Sequence, residues 1–158
     1  MSCFEPVLVN WTCFTEHTSW VRCAKFSPEE DIIATVSDDK TNRLFDPRSG
    51  QEIHCFRETK GFATHLDFHP SGTCFGVATS DKKVKVYDLR MQRLQQLYSA
   101  HEGPVSQVSF HPNGAYLISS SQDGSIKIFD LLEARPIYDV MGHKSGVTAV
   151  TFNSKGIN

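Results

Sequence analysis

The sequence predicts an all-β protein in which one unit of four short antiparallel strands is written three times. Two observations predict it. Landmark residues recur at a spacing of 42: Phe26, Phe68, Phe110 and Phe152; Pro28, Pro70 and Pro112; Asp39, Asp81 and Asp123; Asp46, Asp88 and Asp130. Chance does not align so many positions without a gap, and a period in this range marks a repeat architecture. The segments between the landmarks are short and rich in Val, Ile, Phe and Tyr, and Gly, Pro, Asp and Ser bound them. That is strand-and-turn chemistry.

The elements follow in order within each unit. The first strand is VRCAKF (21–26), matched by ATHLDF, VSQVSF and a trailing VTAVTF (147–152). A Pro turn ends it. The second strand is IIATVS (32–37), matched by CFGVATS and YLISSS. The third is TNRLFD (41–46), matched by KVKVYD and SIKIFD. The fourth is QEIHCF (51–56), matched by RLQQLY and RPIYDV. RMQRLQQLY has a helical look in isolation, but its counterparts QEIHCF and RPIYDV do not, so it reads as a strand. A leading VNWTCF (9–14) reads as the fourth strand of a preceding unit.

Strands such as VTAVTF, apolar on both faces, need cover on both sides. Sheets stacked about an axis supply it. Four strands per unit of this length, with Phe45-Asp46, Tyr87-Asp88 and Phe129-Asp130 closing each third strand, resemble the WD40 repeat of β-propellers. The expected fold is a partial WD40 propeller. Residues 1–16 form an outer strand of a preceding blade, 17–58, 59–100 and 101–142 are repeats, and 143–158 begin a further one.

The acidic turn recurs as SDDKT, TSDKK and SQDGS, and the Asp at its third position caps the turn by accepting backbone N–H groups. The resemblance implies that this Asp also holds a His, which contacts a Ser or Thr of the second strand and then the Trp of the motif. By position the network maps to His17, Ser37, Asp39 and Phe45, to Thr79, Asp81 and Tyr87, and to His101, Ser121, Asp123 and Phe129, with His143 opening the next set. Thr59 stands where the second unit would have its His, and no unit has the Trp. A Ser-His-Asp set also suggests a hydrolase triad. Its recurrence in successive units makes it a structural device, because a catalytic site occurs once.

Two departures from the repeat concern stability. Glu30 stands where the other units have Gly72 and Gly114. If that turn needs positive φ, Glu costs roughly 1 kcal/mol or more. Asn42 stands where the others have Val84 and Ile126. Buried without a partner, its amide costs on the order of 1–3 kcal/mol. Both make the first unit the weakest.

Bulk properties narrow the function classes. The net charge of −2 and the absence of a like-charge block give no footprint for a nucleic acid partner. The cysteines, Cys3, Cys13, Cys23, Cys55 and Cys74, are odd in number and form no C-x-x-C pair, so they read as reduced thiols of an intracellular protein. No signal peptide and no membrane-spanning apolar run is expected. His65, Asp67 and His69 alternate at strand spacing like a metal site, but His69 matches His111 in the F-H-P turn, so no metal is assigned. No cofactor is called for, and no single-copy nucleophile–base pair, P-loop or paired carboxylates argue for an enzyme.

A narrower resemblance lies between the landmarks. WVRCAKFSP (20–28), SDDKT (37–41), FHPSGTC (68–74), VKVYDLR (84–90), RLQQLY (93–98) and YLISSSQDGSIKIFDLLEARPIYDVMGHKSG (116–146) together resemble the centriolar proteome-of-centriole-one family. That resemblance implies a scaffold at centrioles and basal bodies that supports cilium assembly. Its partners would be centriolar components and tubulin or microtubules, and its location cytoplasm, cytoskeleton, centrosome and cilium basal body. A generic adaptor, for example a ubiquitin-ligase substrate receptor, is the alternative. Three units are fewer than the seven the resemblance implies, so the chain reads as a truncated form of a longer propeller, or as a fragment inactive on its own. The candidate partner-binding residues are Trp20 and Phe62, large aromatics in successive loops before the first strands, with Arg22 beside Trp20.

Overall fold

The computed structural model describes residues 12–153. It contains three four-stranded antiparallel sheets. The first is built of β1 (Val21–Phe26), β2 (Ile33–Ser37), β3 (Thr41–Phe45) and β4 (Glu52–Arg57). The second is built of β5 (Ala63–Phe68), β6 (Cys74–Thr79), β7 (Val84–Asp88) and β8 (Arg93–Tyr98). The third is built of β9 (Val105–Phe110), β10 (Tyr116–Ser121), β11 (Ser125–Asp130) and β12 (Arg135–Met141). Strands pair in chain order within each sheet, because each turn is too short to do otherwise. RLQQLY is the strand β8, as its counterparts require.

The register repeats with the sequence. Phe26 faces Ile33, Phe68 faces Phe75 and Phe110 faces Leu117. A bulge interrupts each first-to-second pairing at its far end, between Val21 and Cys23, between Ala63 and His65, and between Ser120 and Ser121. A second bulge falls within each third-to-fourth pairing, at Phe45, Tyr87 and Phe129. Bulges bend and twist a strand, which lets a sheet turn as it leaves the first strand.

The sheets stack face to face, with β1 beside β5 and β5 beside β9. The back of the first sheet (Ala34, Val36, Leu44, Phe56) packs on the front of the second (Ala63, Leu66, Phe68, Phe75). The back of the second (Ala78, Val84, Val86, Tyr98) packs on the front of the third (Val105, Val108, Phe110, Phe129). Removing that apolar surface from water is the main force holding the stack, at roughly 25 cal/mol per Å². Side chains of the first strands add polar stitches. Lys25 Nζ reaches Asp67 Oδ1 at 2.9 Å, and Asp67 Oδ2 accepts the Phe110 N–H at 2.8 Å.

The end segments differ from the sequence reading. Residues 147–152 carry no strand: a first strand pairs with the second strand of its own unit, and no such partner lies among the described residues. They still lie against the third sheet: the Val147 N–H donates to the Ser121 carbonyl at 2.9 Å, and Phe152 stands 4.7 Å from His111. At the other end, residues 9–11 of VNWTCF lie outside the described residues, and 12–14 carry no strand although Phe14 stands 4.6 Å from Phe45.

The turns explain one departure. Glu30 has φ 58°, in the left-handed region, where Gly72 has 71° and Gly114 has 76°. The same region is occupied at Lys40 (65°), Lys82 (69°) and Gly124 (82°), at the end of each acidic turn.

Asn42 is buried, as the apolar residues at its equivalent positions predict, but it has a partner. Its amide donates to Glu58 Oε1 at 2.8 Å. Glu58 is itself buried and also takes Lys85 Nζ and, at 2.8 Å, the Tyr87 hydroxyl. Within this cluster Asn42 Oδ1 is left without a partner.

Candidate functional site

The loops before the first strands and the acidic turns occupy one end of the sheets, and the backbone ties them together the same way each time. Asp38 N–H donates to the Trp20 carbonyl, Ser80 to Phe62 and Gln122 to Pro104, at 2.8 to 2.9 Å. The candidate residues are therefore set on a rigid frame of turn against loop.

Three of them meet. Arg22 Cζ lies 5.4 Å from the Trp20 ring centroid and 5.8 Å from that of Phe62. Asp38 grips the guanidinium with two contacts, 2.7 Å to Nε and 2.5 Å to Nη2. The hydrogen bond to Arg22 lowers the Asp38 pKa, and the same contact raises that of Arg22. Trp20 is 74% exposed, and Phe62 is half-buried. The result is an open aromatic surface with a fixed cation in it, spanning the first and second sheets. Asp38 was missed in the sequence reading. A signal was present: Asp38 and Arg22 depart from the repeat in the same unit, where the others have Ser80 and Gln122, and Thr64 and Ser106.

The His networks lie just beneath this end. His17 Nδ1 is 2.8 Å from Asp39 Oδ2, and His17 Nε2 is 2.6 Å from Thr35 Oγ1. His101 repeats the pattern with Asp123 at 3.2 Å and Ser119 at 2.6 Å, and a third-strand hydroxyl completes each set, Thr41 at 3.3 Å from His17 Nδ1 and Ser125 at 3.1 Å from His101 Nδ1. A carboxylate only accepts, which places a proton on each Nδ1. The second-strand hydroxyls in contact are Thr35 and Ser119, two residues before the expected Ser37 and Ser121. Those two sit at the strand end, opposite the bulge, and serve the loop instead. Ser37 Oγ donates to the Ser19 carbonyl, Ser121 Oγ donates to the carbonyls of Gly103 and Pro104, and each accepts the N–H of the turn Asp. Phe45 and Phe129 are fully buried beside the networks.

The second unit has neither the His nor the hydroxyl, since Val77 stands where the others have Thr35 and Ser119. Thr79 Oγ1 donates to Asp81 and to the Lys83 carbonyl, while Tyr87 turns its hydroxyl to Glu58. His143 is exposed.

Electrostatics follow the geometry. Burial opposes the charge on Asp39, but hydrogen bonds from Thr41, His17 and two backbone N–H groups outweigh it and hold the pKa near 2. Asp123 is lowered in the same way by Ser125, the Glu102 N–H and His101, against its burial. Burial lowers the pKa of His101. A hydrolase needs an accessible base. The His101 ring is buried and each of its nitrogens is engaged, so the arrangement braces the blade.

His65, Asp67 and His69 do not converge. His69 meets the Gly114 carbonyl and Ser71, while Asp67 bridges Lys25 and Phe110. Among the described residues no three His, Cys, Asp or Glu side chains are placed to hold a metal ion. No helix among them is long and apolar enough to cross a membrane.

Comparison with known proteins agrees with this architecture. A family model described as WD domain, G-beta repeat matches residues 9–46, 50–88 and 92–130. No curated protein matches the chain.

Proposed function

The chain belongs to the WD40-repeat family, and from that premise we propose that it is a non-catalytic scaffold which engages a protein partner through Trp20, Arg22 and Phe62. One observation carries this reading. Asp38 fixes the Arg22 guanidinium between two aromatic rings, one of which is largely exposed. Aromatic side chains and Arg are the types that dominate binding energy at protein interfaces. A ring already held in place loses little conformational entropy when a partner covers it. WD40 domains mediate protein–protein interaction, so a surface of this kind is in keeping with the fold.

The finer reading is a centriole and basal-body scaffold that supports cilium assembly. It is supported by the segments WVRCAKFSP, FHPSGTC and VKVYDLR and by the long run from Tyr116 to Gly146. Centriolar components and tubulin are the partners it names.

Imaging the tagged 158-residue chain in ciliated cells against a centriole marker tests both levels. Centriolar signal that is lost in Trp20→Ala and Phe62→Ala variants, with the fold intact, supports the whole reading. Centriolar signal unchanged by both variants rejects the patch. A folded but diffuse protein rejects the centriolar role.

A further inference from the structure

We infer that the cleft between the first and second sheets, at the end away from Trp20, takes an arginine side chain of a partner protein. Ser27, Asp31 and Ile32 of one Pro turn, Gly72 of the next and Leu89 of the turn after β7 line it, and it has a volume of about 500 Å³. Complete four-stranded sheets wall it on both sides. The repeat supplies its own comparison. The equivalent positions at the next interface, His69, Thr73, Cys74, Gly114 and Leu131, line a space of about 190 Å³. The ring of His69 makes the difference. A Cβ on Gly114 would stand 2.7 Å from that ring, whereas one on Gly72 would meet only Pro28, at 3.8 Å. Ser27 stands where the other units have His69 and His111, and it turns its hydroxyl to Asp31 at 2.6 Å.

The contacts of His69 show what such a seat accepts. Its Nε2 lies 2.9 Å from the Gly114 carbonyl, its Nδ1 lies 2.7 Å from Ser71 Oγ, and its ring stands edge-on to Phe110 at 5.2 Å. A carbonyl on one side and a hydroxyl able to donate on the other suit a neutral imidazole. One period earlier the three partners are Gly72, Glu29 and Phe68. The hydroxyl has become a carboxylate, which only accepts, so a planar group placed there must donate on both sides. A guanidinium does so, since it is planar, always charged and carries donors alone. The surrounding charge agrees. The turn reads SPEED in the first unit where the others read HPSGT and HPNGA, so the ring is lost and the acids are gained in the same unit. Glu29, Asp31 and Asp88 line the cleft against one cation, Arg90. Asp31 and Asp88 each engage one oxygen within the chain, with Ser27 and with the Met91 N–H. The other oxygen of each stays available to a ligand. Ile32 and Leu89, packed on the core between the sheets, offer an apolar floor to the methylene stem of an arginine.

NMR titration of the isotope-labelled 158-residue chain with acetyl-Gly-Arg-Gly amide tests this, at up to about 10 mM peptide because a single side chain binds weakly. The expected result is a saturable shift of the Asp31, Gly72 and Leu89 amides, with those of Trp20 and Phe62 unmoved. The same peptide with citrulline, planar but neutral, is expected to bind at least about tenfold more weakly, and with lysine, charged but not planar, several-fold more weakly. Glu29→Gln, at an exposed position, should weaken binding of the arginine peptide about fivefold or more. Ser27→His restores the ring of the other units and should abolish the shifts while the rest of the spectrum stays that of the folded chain. Three results would each overturn the proposal: no saturable shift at those amides, either control peptide bound as tightly as the arginine one, or Glu29→Gln and Ser27→His both binding like the unaltered chain.

Discussion

Asn42 of the first sheet donates its side-chain amide to Glu58 at 2.8 Å, and through that carboxylate it is joined to Lys85 and Tyr87 of the second. The equivalent positions at the next interface are apolar or unlinked: Val84 for Asn42, Ala100 for Glu58 and Phe129 for Tyr87. The first interface has thus exchanged an apolar contact for a buried polar one. Three of the four residues differ between the interfaces, while the lysine is kept as Lys127, which meets Asp139 instead; Asn42 or Glu58 alone would be a buried group without a partner.

Removing one member should therefore be costly. Glu58→Ala leaves the Lys85 ammonium in a buried site without its counterion, and breaking a buried pair in this way costs about 3–5 kcal/mol. The urea midpoint should fall accordingly. Glu58→Ala combined with Lys85→Met removes both charges and should recover most of the loss. If the double variant is no more stable than the single one, the cost lies in packing and not in the uncompensated charge.

Glu30 gives the opposite expectation. Its φ of 58° is one that glycine adopts freely and a side chain does not. Glu30→Gly should stabilise the chain by about 0.5–1 kcal/mol, a net value because glycine also loses more entropy on folding. Gly114→Ala should do the reverse, and by more. Its φ is 76°, and a Cβ there would stand 2.7 Å from the His69 ring. Thermal melts of the two variants check the pair of signs.

These positions show where the sequence was legible. The 42-residue spacing carried the strands and turns because residues one period apart meet the same neighbours in successive sheets: Phe68 and Phe110 are buried against equivalent faces. The strain at Glu30 was legible for the same reason, as an exception at a position two glycines define. Periodicity does not say which group lies across the gap between sheets, so the Glu58 and Lys85 partners of Asn42 were hidden. It also does not resolve which of two hydroxyls on one strand face meets a His. Thr35 and Ser37 share that face, and the bulge opposite Ser37 turns its hydroxyl to the Ser19 carbonyl. At 147–152 the pattern described a strand whose pairing partner is not among the described residues.

The His networks should contribute unequally. The His101 side chain is buried more completely than that of His17, with side-chain exposures of 1% and 8%. His17 holds Asp39, Thr35 and Thr41, and His101 likewise holds Asp123, Ser119 and Ser125, so burial is what separates the two. His101→Ala strands these groups, and unpaired buried polar groups cost about 1–3 kcal/mol each. A loss of about 2–3 kcal/mol is expected for His101→Ala and a smaller one for His17→Ala. Equal losses in chemical denaturation would show that burial does not set the weight of the network.

The last expectation is a pH dependence on the acid side of neutrality, set by His65. Burial lowers its pKa to about 4, Lys25 nearby adds to the shift, and Asp67 opposes it. The backbone of Val108 faces the ring from β9, and Nδ1 has no hydrogen-bond partner. Unfolded, the imidazole titrates near 6.5. Between those two values the unfolded chain binds a proton that the folded chain does not, so stability falls as pH drops from about 6.5 toward 4 and is fully present above. His101, also lowered by burial, acts in the same direction. Asp39, held near 2, adds its own loss only below about pH 4, where the unfolded carboxylate protonates first. The two regimes separate on a plot of urea midpoint against pH. His65→Gln keeps an amide in place of the ring, as Gln107 does at the equivalent position of the third sheet, where Oε1 accepts the Val150 N–H. That variant should flatten the slope between pH 6.5 and 4.5 and leave the acid limb below pH 4 unchanged. A slope that persists undiminished would assign the loss to His101, and His101→Gln should then remove it.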